Sequence, residues 1–364
     1  NLLFSDPDTD PRSPEFFTDR LRGEFWVGPK IGLAATSTRL GIEGVPRATL
    51  SSFLSARSPI GVVRGISPDV DALDLPPAAL DHELQIQLAE LRLVKDEFEV
   101  RQLQEAVDLT AAAFDAVVGN LERMRTEREV ETTFFAAART SGNDVGYQVI
   151  AAAGAHATTL HWRHNTGELR GGDLLLLDAG VEVRSFYTAD ITRTLPVGGR
   201  FTGVQRTIYD LVWAAQQEAL AAVRVGAAFD APNRAAQAVL ARGLEELGLL
   251  PIPAKQALAP DSQLHRRYTV HGVSHMLGLD VHDCAHARSE SYPDGLLASG
   301  MVLTVEPGLY FHLNDETVPP EFRGIGVRIE DDVLVTDGGP VVLSAAIPSA
   351  ASAVEQWVQT GRRL

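Results

Sequence analysis

The sequence predicts an α+β protein of two domains, a smaller α/β domain over residues 1–92 and a larger one over 93–364 built from two similarly ordered halves. Three observations carry this. With 364 residues, 45% hydrophobic and 22% charged, the chain is long enough to bury a core in each of two domains. Near residues 91–95 a turn-rich, mixed composition gives way to a long helical pattern, with Val100, Leu103, Ala106, Val107 and Ala111 at helical spacing. From there the element order runs twice. Two helices (96–120 and 127–141) lead into strands at 147–152 and 174–194; two more (203–224 and 231–247) lead into strands at 268–270, 302–306 and 326–335. Identity between the halves is negligible, so the repeat is one of element order, and two facing halves leave a cleft between their sheets.

The first domain mixes turn-rich stretches (6–14, 67–77) with strand candidates at 25–27, 31–34 and 60–63 and a short helix at 49–56. It carries no chemistry of its own. A net charge of −16 with no basic cluster excludes a nucleic-acid surface. No apolar run approaches the ~18 residues of a bilayer span, and the N-terminus lacks a basic, cleavable leader. The single cysteine, Cys284, rules out an internal disulfide framework and suits a reducing cytosol, so a cytoplasmic protein without membrane contact is expected. Because the chain begins at Asn1 and not at Met, a processed or missing upstream segment is expected too.

The organising stretch is 173–193, DLLLLDAGVEVRSFYTADITR. The run 174–177 is bounded by glycines and ends in Asp178; a second β-prone run surrounds Asp190, with room for a turn between. A hairpin sets the two aspartates side by side. Carboxylates that close repel and lose hydration, which a divalent cation relieves. Glu306 ends the apolar run 301–305 ahead of Pro307-Gly308, and Glu330 ends 326–329, so each is left at a strand end. Histidines gather in HGVSHMLGLDVHD (His271, His275, His282), where Gly272 and Gly278 argue for an irregular segment aimed into the cleft; His161 lies in LHWRHN. Four carboxylates with imidazole suit Mn²⁺, Co²⁺ or Zn²⁺, and their charge balances two such ions. His156, His164 and His265 are read as surface polar groups, and Cys284 as no nucleophile.

DAGVEVRSFYTADITRT, HGVSHMLGLDVHD, GMVLTVEPGLY and RGIGVRIEDD together resemble the pita-bread metallopeptidases, most closely the Xaa-Pro aminopeptidases (aminopeptidase P) and Xaa-Pro dipeptidases (prolidases), over about residues 90–340. The resemblance implies a pita-bread catalytic domain of pseudo-two-fold βα halves behind a creatinase-like N-terminal domain. It implies two divalent metals, foremost Mn²⁺, held by Asp178, Asp190, His275, Glu306 and Glu330, with Asp190 and Glu330 bridging, and a hydroxide between them that attacks the carbonyl before proline. Glu306 is implied as proton shuttle, His271 as oxyanion stabiliser, and His161 and His282 as substrate contacts that help proton transfer. Arg328 is expected either to hold a ligating carboxylate or to form a structural salt bridge.

The implied activity is removal of the N-terminal residue from peptides with proline second. A prolidase is the alternative; it needs an arginine to cap a dipeptide carboxylate, and Arg47, Arg64 and Arg288 are the candidates. A methionine aminopeptidase is disfavoured by the N-terminal domain, creatinase-like chemistry by the five intact ligands, and a non-catalytic binding protein by the complete set of shuttle histidines. Trp26 matches a residue that reaches a neighbouring active site in relatives, which implies a homodimer or dimer of dimers; packing within its own domain is the alternative.

Overall fold

The computed structural model describes residues 1–5, 10–57, 60–73, 79–361 and 363. They divide into two compact units, Asn1–Gln85 and Ile86–Leu364, whereas the sequence sets the boundary between 92 and 93. In the first unit β1 (Leu2–Ser5) is followed by α1 (Pro14–Thr18), α2 (Glu24–Val27) and α3 (Leu33–Leu40). Then come β2 (Glu43–Pro46), which pairs with β1 in parallel, α4 (Leu50–Ser55) and α5 (Pro68–Asp71); α6 (Ala79–Leu91) runs across the boundary into the second unit. Two expected strands are helices. Residues 25–27 belong to α2 and 33–34 open α3, because three or four apolar residues fit a helix turn as well as a strand. Residues 60–63 join no ladder, and the Val62 N–H is taken by Asp81 Oδ1 at 2.8 Å. Parts of the turn-rich stretches at 6–14 and 67–77 lie outside the described residues.

The second unit begins with α7 (Glu97–Val118) and α8 (Glu127–Ser141), each started by a capping box, Asp96 with Glu99 and Thr126 with Glu129. There follow β3 (Asp144–Val145), β4 (Ile150–Ala153), β5 (Leu174–Ala179), β6 (Val181–Glu182) and β7 (Ile191–Pro196). The second half repeats the order: α9 (Gly203–Ala222), again boxed by Thr202 and Gln205, α10 (Ala231–Glu246), α11 (Ala254–Ala257), then β8 (Val302–Val305), β9 (Gly308–Phe311), β10 (Ile325–Arg328), β11 (Asp331–Thr336) and β12 (Gly339–Val342), with α12 (Ala351–Thr360) last. Antiparallel sheets β4-β5-β7 and β8-β11-β12 correspond, and β9 and β10 form a separate hairpin. The expected strand at 268–270 is absent. A 3₁₀ turn at Leu264–Arg267 runs into it, and one backbone bond, Tyr310 N–H to Tyr268 O, reaches β9.

The helices pack an apolar face on these sheets: Leu103, Val107 and Phe114 of α7 are fully or almost fully buried, and Phe114 meets Phe134 edge-on and Trp357 in a stack. Where the halves meet, Glu330 N–H donates to Thr192 O at 3.1 Å and the Thr194 hydroxyl to Arg328 O at 2.9 Å. Arg193, with no exposed surface, bolts this seam from behind. It donates to Thr192 O, Glu330 O, Ile347 O and Pro348 O and pairs with Asp331 at 2.6 Å.

The β5–β7 hairpin closes so tightly that a Cβ on Gly180 would sit 1.7 Å from Ala189 O. Backbone cannot yield there as a side chain would. Gly180→Ala is expected to cost about 1–3 kcal/mol, read as a lower urea midpoint, and to reduce divalent-cation uptake because it parts the segments bearing Asp178 and Asp190. An unchanged midpoint would contradict this close approach.

Candidate metal centre and active site

The register sets the first two carboxylates. Asp178 stands near the end of β5 opposite Thr192, and Asp190 immediately precedes β7, where Ala179 faces Ile191. The turn between them lies at 183–186, with Phe186 at φ +70° and its N–H bonded to Val183 O, and beyond it Thr188 bridges Glu182 antiparallel. Glu306 follows β8 and Glu330 lies between β10 and β11, both at strand ends. His275 belongs to an irregular segment stitched to β8 by Thr304 N–H to His275 O at 3.0 Å and Glu306 N–H to Val273 O at 2.8 Å. Its Nδ1 lies 3.1 Å from Met276 O, a pure acceptor, so Nδ1 carries the proton and Nε2 faces Asp190 and Glu306 at 3.3 and 3.6 Å.

These five side chains, joined by His282, fall into overlapping sets whose donor atoms lie within 4.8 Å of one another: Asp178, Asp190 and Glu330; His275, Glu306 and Glu330; and Asp190, His275 and His282. Glu330 joins the first two. One cleft of about 420 Å³ is lined by all of them and by His161, His271, His282 and Arg328, so every site residue named from the sequence meets here. Ile150, Leu160, Val281 and Tyr292 form its apolar side.

Supporting groups complete the picture. Arg328 reaches Asp178 Oδ2 with Nη2, Thr192 Oγ1 with Nε at 3.0 Å and Tyr310 OH with Nη1 at 3.0 Å, so it holds a carboxylate of the cluster and both expectations for it coincide. His271 Nδ1 lies 2.7 Å from Gly272 O and therefore carries the proton. Its Nε2 accepts from Tyr310 OH at 2.8 Å, which leaves no free donor on the ring in this arrangement. The sequence reading missed Tyr147, whose hydroxyl lies between Asp178 Oδ1 and Asp190 Oδ1, and Thr192, which donates to Glu330 Oε2 at 2.5 Å. Thr192 was legible, being two residues from Asp190 on a strand and so on the same face. Nothing marks Tyr147 from a distance of 31 positions. His265, expected at the surface, is buried with Nδ1 on Ala257 O. The Cys284 thiol, buried, is pushed up to about 12.

Electrostatics supply the test of whether a cation fits. Burial pushes the Glu330 carboxyl far above the usual range, with Asp190 and Glu306 adding to it. Asp178 is raised by burial against the pull of Arg328. The Tyr147 phenol has a single proton for two flanking carboxylates. Oxygen-rich donors, a correctly turned imidazole and uncompensated buried negative charge fit divalent cations.

A pH dependence follows for the cation-free protein. Burial lifts Glu306 to about 7, against the His275 and Arg328 charges. His275 rises to about 9: burial opposes its charge, and the Asp190 bond and Glu306 charge prevail. His271 falls to about 4 through burial and then the Arg328 charge. Between roughly pH 6.5 and 9 the folded chain holds a His275 proton that the unfolded chain has released, so stability falls as pH rises through that window. Below it Glu306 and His271 act in opposite senses. The thermal midpoint of chelator-treated protein should therefore drop between these values, and a flat or rising profile would contradict the assignment.

Comparison with known proteins agrees with this chemistry. Residues 101–337 match the model of metallopeptidase family M24. The chain is 51% identical over 357 residues to Xaa-Pro aminopeptidase 1 of Streptomyces coelicolor, covering 97% of this chain and 72% of that one. Aminopeptidase P from E. coli with the inhibitor Pro-Leu superposes with a TM-score of 0.87 at 30% identity, covering 100% and 83% of the two chains. The zinc-substituted E. coli enzyme in complex with product does so at 0.86 and the same identity and coverage. The two-halved architecture is thus the pita-bread fold, and the chain belongs to metallopeptidase family M24.

Proposed function

We propose that this protein is an Xaa-Pro aminopeptidase, a metal-dependent exopeptidase that removes the first residue from peptides with proline in second position. The observation that carries the reading is the pair of donor sets sharing Glu330, with His271 beside them 3.5 Å from Glu306. Asp178, Asp190, His275, Glu306 and Glu330 would hold two divalent ions. Mn²⁺ is the first choice for such oxygen-rich donors, with Co²⁺ and Zn²⁺ also suited. Bound there, the ions supply Lewis acidity and a water acidic enough to react at neutral pH.

The chain's own groups do the rest. Glu306, at the edge of the donor cluster and facing the cleft, would take up a proton on its carboxylate and release it to the departing amine. Arg328 keeps Asp178 oriented. Tyr310 and Gly272 orient His271; for the oxyanion role its Nδ1–H has to turn from Gly272 O toward the peptide. His161 and His282 are placed to contact the peptide, and the Ile150, Leu160, Val281 and Tyr292 side offers an apolar wall for a prolyl ring.

Against the prolidase alternative, each candidate capping arginine is already engaged: Arg288 with Glu90 at 2.7 Å, Arg64 with Asp81 at 2.8 Å and Arg47 with Asp69. No helix among the described residues is long and apolar enough to cross a membrane. A homodimer or dimer of dimers is the proposed assembly. Trp26 bonds Phe17 O within its own unit and still leaves half of its surface, 51%, open to a neighbour.

Metal-stripped enzyme should cleave neither an Xaa-Pro-Xaa tripeptide nor an Xaa-Pro dipeptide, and Mn²⁺ should restore cleavage of the tripeptide. Restoration on the dipeptide alone would make it a prolidase. Glu306→Gln should lower turnover by about 10³-fold with the fold and most metal content retained; near-normal turnover would remove it from proton transfer.

A further inference from the structure

Glu127 opens α8 and has no exposed surface, yet it lies outside the donor cluster. Four groups meet its two oxygens. Oε1 accepts from Ala153 N–H at 2.7 Å and lies 2.8 Å from His156 Nδ1; Oε2 accepts from Trp162 Nε1–H at 2.8 Å and from Gly167 N–H at 2.6 Å. In return Glu127 N–H donates to Gly167 O at 3.0 Å. These partners bracket residues 154–166, the loop that leaves β4 and presents His161 and Arg163 to the cleft. Trp162 directly follows His161, and its ring stacks on His156 with centroids 3.9 Å apart. At the far end of the loop a Cβ on Gly167 would meet His156 Nδ1 at 2.7 Å and Glu127 Cδ at 2.8 Å. No lysine or arginine pairs with Glu127 among the described residues, so these hydrogen bonds and the start of α8 compensate its burial.

We propose that Glu127 is a positioning residue: its carboxylate pins the 154–166 loop so that His161 faces the bound peptide. Ala153 N–H, Gly167 N–H and the Trp162 indole N–H can only donate, and they are divided between the two oxygens. A carboxylate accepts on both sides, whereas an amide accepts on one. Glu127→Gln therefore keeps the shape but turns an N–H toward at least one obligate donor. The loop loosens, and a displacement of about 1 Å at a substrate-contacting group is enough to cost turnover heavily.

This inference rests on the peptidase reading through His161, and the experiment separates the two. The metal-loaded full chain is assayed on an Xaa-Pro-Xaa tripeptide as wild type, Glu127→Gln, His161→Ala and the double variant, with metal content and near-ultraviolet dichroism recorded for each. Glu127→Gln should lower kcat/KM about tenfold alone and less than about twofold where His161 is already alanine. The same tenfold loss in both backgrounds overturns the inference and makes Glu127 a general stabiliser. Should Glu127→Gln fail to fold, Trp162→Phe, which removes one of the four bonds, takes its place in the cycle with the same criterion. Hydrogen exchange of the Ala153 and Gly167 amides needs no activity: it should quicken in Glu127→Gln or Trp162→Phe, and unchanged rates overturn the inference. A wild type that cleaves no Xaa-Pro peptide defeats the peptidase reading alone, because the exchange measurement still decides whether Glu127 pins the loop.

Discussion

The second unit is organised around the crowding of four carboxylates, three buried and Glu306 part-buried, at the meeting of two sheets. Left alone, Asp178, Asp190, Glu306 and Glu330 repel one another where burial leaves little water to screen them. The protein does not neutralise them fully. Arg328 and His275 offset part of the charge, and the Tyr147 and Thr192 hydroxyls satisfy oxygens without cancelling it. That residual charge is what a divalent cation would answer, and the rigidity of strand ends keeps the carboxylates from escaping one another.

Arg193 performs a different task from Arg328 although both are buried guanidiniums. Arg328 points into the cleft and touches a donor carboxylate. Arg193 points away and gathers backbone carbonyls from β7, from Glu330 between β10 and β11, and from the segment before α12. Asp331 pairs with it and is held in turn by Gln216 of α9 and Ser344. The seam is thereby rigid on its rear face, so the two halves deliver their donors from a common frame.

Much of this was legible because it follows local rules. The starts of α7, α8 and α9 are written as capping boxes, and the donor carboxylates stand where apolar runs stop. What escaped depends on tertiary meeting. Tyr147 becomes a partner of Asp178 and Asp190 only once β4 and β5 pair, and Glu127 resembles any first-turn glutamate until the loop from β4 folds over it. The runs at 25–27 and 268–270 failed for another reason: too short to show a period, they took whichever conformation their flanks imposed.

The four consecutive leucines of β5 are buried on both faces of their sheet. Such a strand has no inside and outside, so its hydrophobic content is indifferent to a slip of one residue against β7. A slipped hairpin would hide the same surface and yet turn Asp178 away from Asp190 and Glu330. The carboxylate cluster is therefore the mark of correct strand register: a molecule can be compact and helical without being correctly paired, but only the correctly paired one brings Asp178, Asp190 and Glu330 together.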